Sequence, residues 1–260
     1  MDALASDLCY KEDMRRFFLP PHGLTDNHPI LTGPEAFHLA VVLRLKPGQS
    51  VELFDGQGTV HTAQLMSVDR DRVTAEIIAT RHEQPQTASP LTLGQCLLKG
   101  KKMDFLVQKA TELGVHAFMP LVSRYCENHG DRDHQQERWQ RIMLEACKQC
   151  GRATPMRILP ITPLTQFDTT AFRHRLVAWE EEQSAPLPAD LSDRPGSVCL
   201  VLGPEGGLHE DDLATLRQRQ CTTFSLGPLI LRGETAALAA TAIIQYLAGS
   251  LGPTAKESVP

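Results

Sequence analysis

The sequence has no apolar run long enough to cross a bilayer; the longest, near the C-terminus, is broken by Thr241 and Gln245. No basic segment leading into a short apolar stretch opens the chain, so no secretory signal is expected. A disulfide framework is also missing. The seven cysteines (Cys9, Cys96, Cys126, Cys147, Cys150, Cys199 and Cys221) are odd in number and scattered, which suits reduced thiols in a cytoplasm. The single C-x-x-C, Cys147 to Cys150, lies late in a segment that reads as helix from Gln135 to Gln149. It has no second pair to complete a zinc site and is read as structural. The ten histidines show no metal-ligand spacing, so no metal is expected. An excess of positive charge is lacking too. A net charge of −5 argues against a whole-surface nucleic-acid binder and leaves room for local basic patches.

What is present divides along the chain. Residues 1–13 are polar and acidic and are expected to form a disordered extension, with Met14 a second candidate start. From 14 to 82 short strands and turns dominate. Val51–Phe54, the turn Asp55–Gly58 and Val60–Leu65 predict a hairpin, and Val73, Ala75 and Ile77 alternate as in a half-buried strand. One helix is expected over Pro34–Leu43. The region reads as a small β-barrel. Residues 83–90, polar and bracketed by prolines, read as a linker. From 91 to 252 strands alternate with helices, predicting a mostly parallel sheet covered on both faces, and 253–260 form a tail. In this part Met103–Leu113 reads as a helix ended by Gly114, and His209–Arg219 as a helix whose Asp211 and Asp212 complement its dipole. The last helix, Glu234–Leu247, is Ala-rich and nearly apolar all round, so it is either a central core helix or a homodimer interface.

The most informative pairing lies in this second part. VCLVLGPEGG is followed some twenty residues later by FSLGPLILRGETAALAATAII. Each is an apolar strand running into a Gly/Pro-rich loop, and loops at the carboxyl ends of strands are where open α/β sheets bind ligands. Gly203 to Gly207 make a loop that side chains cannot crowd, and Gly227 repeats the device one strand later.

Three segments, KGKKMDFLVQKATELGV, LVLGPEGG and LGPLILRGETAALAA, resemble the ribosomal RNA small-subunit methyltransferase E family, as do MRRFFLP and FHLAVVLRLKPG near the start. The resemblance covers Met14 to Gly252. It implies a PUA-like β-barrel that grips RNA, followed by a SPOUT-class α/β domain whose C-terminal chain threads a trefoil knot. It also implies a homodimer, S-adenosylmethionine as cofactor, and methylation of the N3 of a uridine in 16S rRNA, presented as free rRNA or as the 30S subunit. Carried over by position, the cofactor falls to Trp179, Glu180, Leu202, Gly203, Pro204, Glu205, Gly206, Gly207, Leu226, Gly227, Leu231, Arg232, Thr235 and Ala236. The chain departs from the family pattern at Leu229, often Arg, and at Gly233, often Thr. Roles borrowed for those two positions are void.

Methyl transfer from a sulfonium needs binding, alignment and deprotonation, with no metal or covalent enzyme intermediate. Arg232 is the candidate for stabilising charge on the uracil or a flanking phosphate, and Glu234 or Glu205 for taking the N3 proton. Arg15, Arg16 and Arg44, with Lys99, Lys101 and Lys102, form two basic clusters expected to meet RNA. Two alternatives stand beside this reading. One is a ribose 2′-O methyltransferase, which the Leu229–Glu234 run does not favour. The other is a non-catalytic RNA-binding or assembly factor on the same fold.

Overall fold

The computed structural model describes residues 14–25, 27–83, 89–126, 132–182, 185, 187, 191 and 196–252. The expected extension, most of the expected linker and the expected tail lie outside the described residues. The chain divides into two units. The first takes residues up to Pro85 together with 147–155; the second takes the rest.

In the first unit β1 (Arg16–Phe18), β2 (Leu24–Thr25), β3 (His28–Thr32), β4 (Ser50–Phe54), β5 (Thr59–Val68) and β6 (Arg72–His82) form one sheet in the order β1-β4-β5-β6-β3-β2. All its pairings are antiparallel except β1 with β4. Alternation along the strands buries Val51, Leu53, Ala63, Leu65, Val73 and Ala75, and Ala36 and Leu39 close over them. The predicted hairpin forms between β4 and β5. Asp55 Oδ1 accepts from the amides of Gln57 (2.7 Å) and Thr59 (3.0 Å), while Gly56 and Gly58 take the positive φ the turn needs. The single helix expected over Pro34–Leu43 is instead α1 (Gly33–Phe37) followed by a wider π-type turn over His38–Val42.

Arg16 corrects an expectation. Its side chain is only 7% exposed and lies near Glu52 (3.9 Å) and Glu83 (4.0 Å) and over the Phe54 ring. Its guanidinium also donates to the carbonyl of Gly151. A guanidinium held inward by these partners does not present itself to an RNA phosphate. Lys148, only 8% exposed, pairs with Glu35, so residues 147–155 enter the first unit through two buried cations.

The second unit is an all-parallel sheet of β7 (Leu91–Cys96), β8 (Ala117–Val122), β9 (Arg157–Ile158), β10 (Thr162–Pro163), β11 (His174–Ala178), β12 (Val198–Leu202) and β13 (Thr222–Phe224). Its order is β10-β8-β7-β12-β11-β13, with β9 also on β8. Every residue of β7 and of β12 is buried, and β12 accordingly reads as a continuous apolar run rather than an alternation. Burying each leucine there contributes about 1.5–3 kcal/mol. The helices are α2 (Lys102–Glu112), α3 (Arg132–Cys150), whose last turn belongs to the first unit, α4 (Glu210–Gln218) and α5 (Gly233–Leu247). α2 stops where expected. Gly114 (φ 76°) donates to Thr111 O and Val115 to Ala110 O, so Val115 is spent on the cap and β8 begins only at Ala117. At α4 the His209 ring accepts from the Asp211 amide and Asp212 accepts from the His209 amide, so the two acids cap the helix start.

Candidate functional site

β12, β11 and β13 are neighbours, and their carboxyl ends open into one cleft of about 370 Å³. Ala178, Trp179 and Glu180 leave β11; Leu202, Gly203, Pro204, Glu205 and Gly207 leave β12; Ser225, Leu226 and Gly227 leave β13. Leu229 to Gly233 and Ala236 close the far side, and Lys102 reaches in from the start of α2. A volume of this size suits a small organic ligand.

The loop after β12 is tightly made. Gly207 donates to Pro204 O at 3.0 Å and has φ 75°; a Cβ there would lie 2.2 Å from Glu180 Oε1. A Cβ on Gly203 would come within 3.1 Å of the Gly207 carbonyl carbon. From the neighbouring strand the buried Gln95 donates to Gly203 O at 3.0 Å and fixes where the loop departs. The Trp179 amide donates to Phe224 O, and its ring lies 5.3 Å from the Arg217 guanidinium.

The polar wall centres on Lys102. Its Nζ is 2.9 Å from Glu205 Oε1 and 3.6 Å from Glu234 Oε2. Glu205 Oε1 also accepts from the Lys99 amide at 2.9 Å. Burial by itself raises the Glu205 carboxyl, but the hydrogen bonds from Lys102 and the Lys99 amide outweigh it, and the group sits below its ordinary value. The hydrogen bond to Glu205 raises the Lys102 ammonium above its own.

Most of the sequence-predicted cofactor residues meet in this cleft, but two do not line it. Gly206 turns toward Tyr125, where a Cβ would rest at an ordinary 3.5 Å, and Thr235 is exposed on α5. Arg232 is exposed on the cleft wall where α5 begins. Glu234 is not on the lining; its Oε2 is buried and faces Lys102. Lys102, grouped by sequence with the RNA-facing cations, stands instead on the cleft wall, while Arg15, Arg44, Lys99 and Lys101 are exposed. Sequence reasoning placed the wall around Ala178–Glu180 and the segment Leu226–Ala236 at the cofactor, and missed Ser225, whose one available signal was adjacency to Leu226. Leu229 and Ile230 are 78% and 89% exposed, an unusual state for two consecutive apolar side chains. Among the described residues no cluster of metal-competent side chains occurs, and no helix is long and apolar enough to cross a membrane.

The chain matches the family described as RNA methyltransferase domain over residues 85–245, and the RNA methyltransferase PUA domain over residues 31–78. Fold and site therefore define an RNA methyltransferase that carries a PUA domain. Similar curated proteins include the ribosomal RNA small subunit methyltransferase E of Bacillus subtilis, 32% identical over 227 residues, which cover 83% of this chain and 89% of the relative. That of Synechocystis is 33% identical over 242 residues, covering 89% of this chain and 77% of the relative. Among solved structures, the ribosomal RNA small subunit methyltransferase E from Neisseria gonorrhoeae, bound to S-adenosyl methionine, superimposes with a TM-score of 0.79 at 33% identity. A Legionella pneumophila protein solved with bound cofactor SAM gives 0.83 at 27% identity; each alignment covers 90% of this chain and 98% of the other. The chain belongs to the ribosomal RNA small subunit methyltransferase E family.

Proposed function

We propose that the protein methylates the N3 of a uridine in 16S rRNA with S-adenosylmethionine as the methyl donor, and that it works as a cytoplasmic homodimer. The observation that carries the reading is the cleft itself. Three parallel strands end around it, Gly203 and Gly207 let the loop after β12 pack tightly against itself and Glu180 where a Cβ would clash, and Lys102 and Glu205 face one another across its wall. Those features fit the cofactor. The apolar sides (Leu202, Leu226, Leu231, Trp179) suit an adenine ring, and the carboxylates of Glu180 and Glu205 suit a cationic sulfonium. The bound cofactor supplies a methyl on sulfonium sulfur; the uracil N3, once its proton has left, takes that methyl with its lone pair while the carbon–sulfur pair stays on sulfur.

The protein's part is to bind, align and handle the proton. Glu205 stands on the lining with one oxygen anchored by Lys99 and Lys102, and is the better placed of the two glutamates to accept it. Arg232 opens α5 at the cleft and faces the approaching uracil or its flanking phosphate. Arg15, Arg44, Lys99 and Lys101, all exposed, supply the RNA contacts. Uracil N3 is hidden within an A·U pair, so the target is an unpaired or extruded base. The threaded C-terminal segment expected from the family is part of the proposal. Its support is the path of the chain, which passes from β11 to β12 on one side and back to β13 on the other.

Dimer formation is supported by α5. Its buried face is Ala237, Ala240, Thr241, Ile244 and Gln245, whereas Ile243 and Tyr246 on the other side are 42% and 66% exposed. Mass mapping of 16S rRNA from a strain lacking the protein tests the reaction. The expected result is loss of one methyl from one uracil base, restored by the purified protein with S-adenosylmethionine. An unchanged map, or a methyl lost from a ribose, would overturn the reading.

A further inference from the structure

Among the described residues, Lys102 is the one cation that the cleft draws in from outside the loops after β11, β12 and β13. Its side chain is 32% exposed. An ammonium carries three N–H groups and no acceptor. One points to Glu205 Oε1 at 2.9 Å, a second faces Glu234 Oε2 at 3.6 Å, and a third is left on a residue that lines the cleft. The two carboxylates come from different elements, the loop after β12 and the first turn of α5, so the ammonium is fixed from both sides. Glu205 is itself held by the Lys99 amide. Glu234 has its Oε2 buried with no hydrogen-bond donor in range, so the approach of Lys102 is what compensates its charge. The three groups together carry net one negative charge, which tolerates a sulfonium beside them while still presenting an N–H.

Resting on the uridine-N3 reading, we propose that Lys102 is a catalytic residue: its free N–H donates to the uracil carbonyl oxygen on which charge grows as N3 loses its proton. Glu234 acts on it as a positioning residue, and Glu205, besides taking the N3 proton, anchors it from the loop after β12. Loss of the N3 proton spreads negative charge onto the flanking oxygens, and a donor already in place stabilises that charge without reorganising at the moment of reaction. An unanchored surface lysine would have to be ordered first. The hydrogen bond to Glu205 raises the ammonium above its ordinary value, so the donor stays protonated across the neutral range.

The test uses the full-length protein and 30S particles reconstituted on 16S rRNA transcribed with uridine or with 5-fluorouridine, whose N3 proton is more acidic. Single-turnover transfer of a labelled methyl from S-adenosylmethionine is measured, with cofactor affinity followed separately by calorimetry. Lys102→Met is expected to lower the rate on uridine about 10²–10³-fold, the scale of losing one such donor. Cofactor affinity is expected to stay near wild type. On 5-fluorouridine the loss is expected to shrink to about tenfold or less, because the more acidic base leans less on the donor. Lys102→Arg, which keeps both ion pairs and so the fold, should show a smaller defect with the same dependence on fluorine. An equal loss on both bases, or a loss accounted for by weaker cofactor binding, would overturn the catalytic role and leave Lys102 as a structural lock. Wild-type protein that methylates neither particle would overturn the uridine-N3 reading itself, an outcome distinct from failure of the lysine alone.

Discussion

A Cβ on Gly207 would sit 2.2 Å from a Glu180 oxygen at a backbone φ of 75°, whereas one on Gly206 would rest 3.5 Å from Tyr125. The two glycines are adjacent in sequence and look equivalent there. Gly207→Ala forces a left-handed alanine, which costs about 1–2 kcal/mol, and pushes Glu180 from its place on the cleft wall. Its affinity for S-adenosylmethionine is expected to fall about tenfold, the equivalent of about 1.4 kcal/mol. Gly206→Ala should bind almost normally. Calorimetry on both variants checks the contrast, and equal affinities would show that the loop geometry does not shape the site. The same scale explains what composition could not deliver. Arg16 and Arg15 are indistinguishable as letters, yet one is buried against Glu52, Glu83 and Phe54 and the other faces water. Lys102 belonged by spacing to a run of surface lysines. Only the placement of β7 beside β12 brings the start of α2 to the mouth of the cleft, and sheet order is not written in hydrophobic period.

Elements were far more legible. A continuous apolar run gave β12, punctuation gave its end, and the caps of α2 and α4 were visible as Gly114 and as Asp211 with Asp212. Local chemistry dictates these features, so a single sequence carries them. The helix ends share one device. Gly114, Gly151 and Gly249 take positive φ after α2, α3 and α5, and Gln220 does so after α4, held there by Arg175 Nη1 at 2.9 Å. Gly114→Ala should therefore destabilise the protein by about 1–2 kcal/mol, since the alanine must adopt the same left-handed geometry. Its Cβ would also press to 3.2 Å of the Gln245 amide nitrogen, which bonds Leu113 O. Urea denaturation followed by circular dichroism reads the change, and an unaltered midpoint would mean that the α2 cap contributes nothing. The short β9 and β10 were at the edge of legibility, because two-residue strands carry almost no periodicity.

For the whole molecule, the sequence left α5 poised between core and interface, and the helix has one face buried within the chain and another exposed. Ala240 is fully buried within the chain, so a charge there would probe folding rather than association. Ile243 and Tyr246 are the positions that bear on the proposed dimer. Ile243→Lys combined with Tyr246→Glu should yield folded monomers in analytical ultracentrifugation where the wild type sediments as a dimer. A wild-type monomer at micromolar concentration would remove the dimer from the proposal.

The return of residues 147–155 to the first unit sets a timetable for synthesis. Strands β1 to β6 have all left the ribosome before Lys148 and Gly151 exist, and until then Glu35 lacks Lys148 and Arg16 lacks the Gly151 carbonyl. The gap from the end of β6 is roughly 70 residues, which at ~5–20 residues per second is a wait of several seconds to over ten. The first unit thus emerges first but matures late. Ribosome-bound chains stalled shortly after β6 are, in this sense, an unfinished unit awaiting a piece encoded inside the next one.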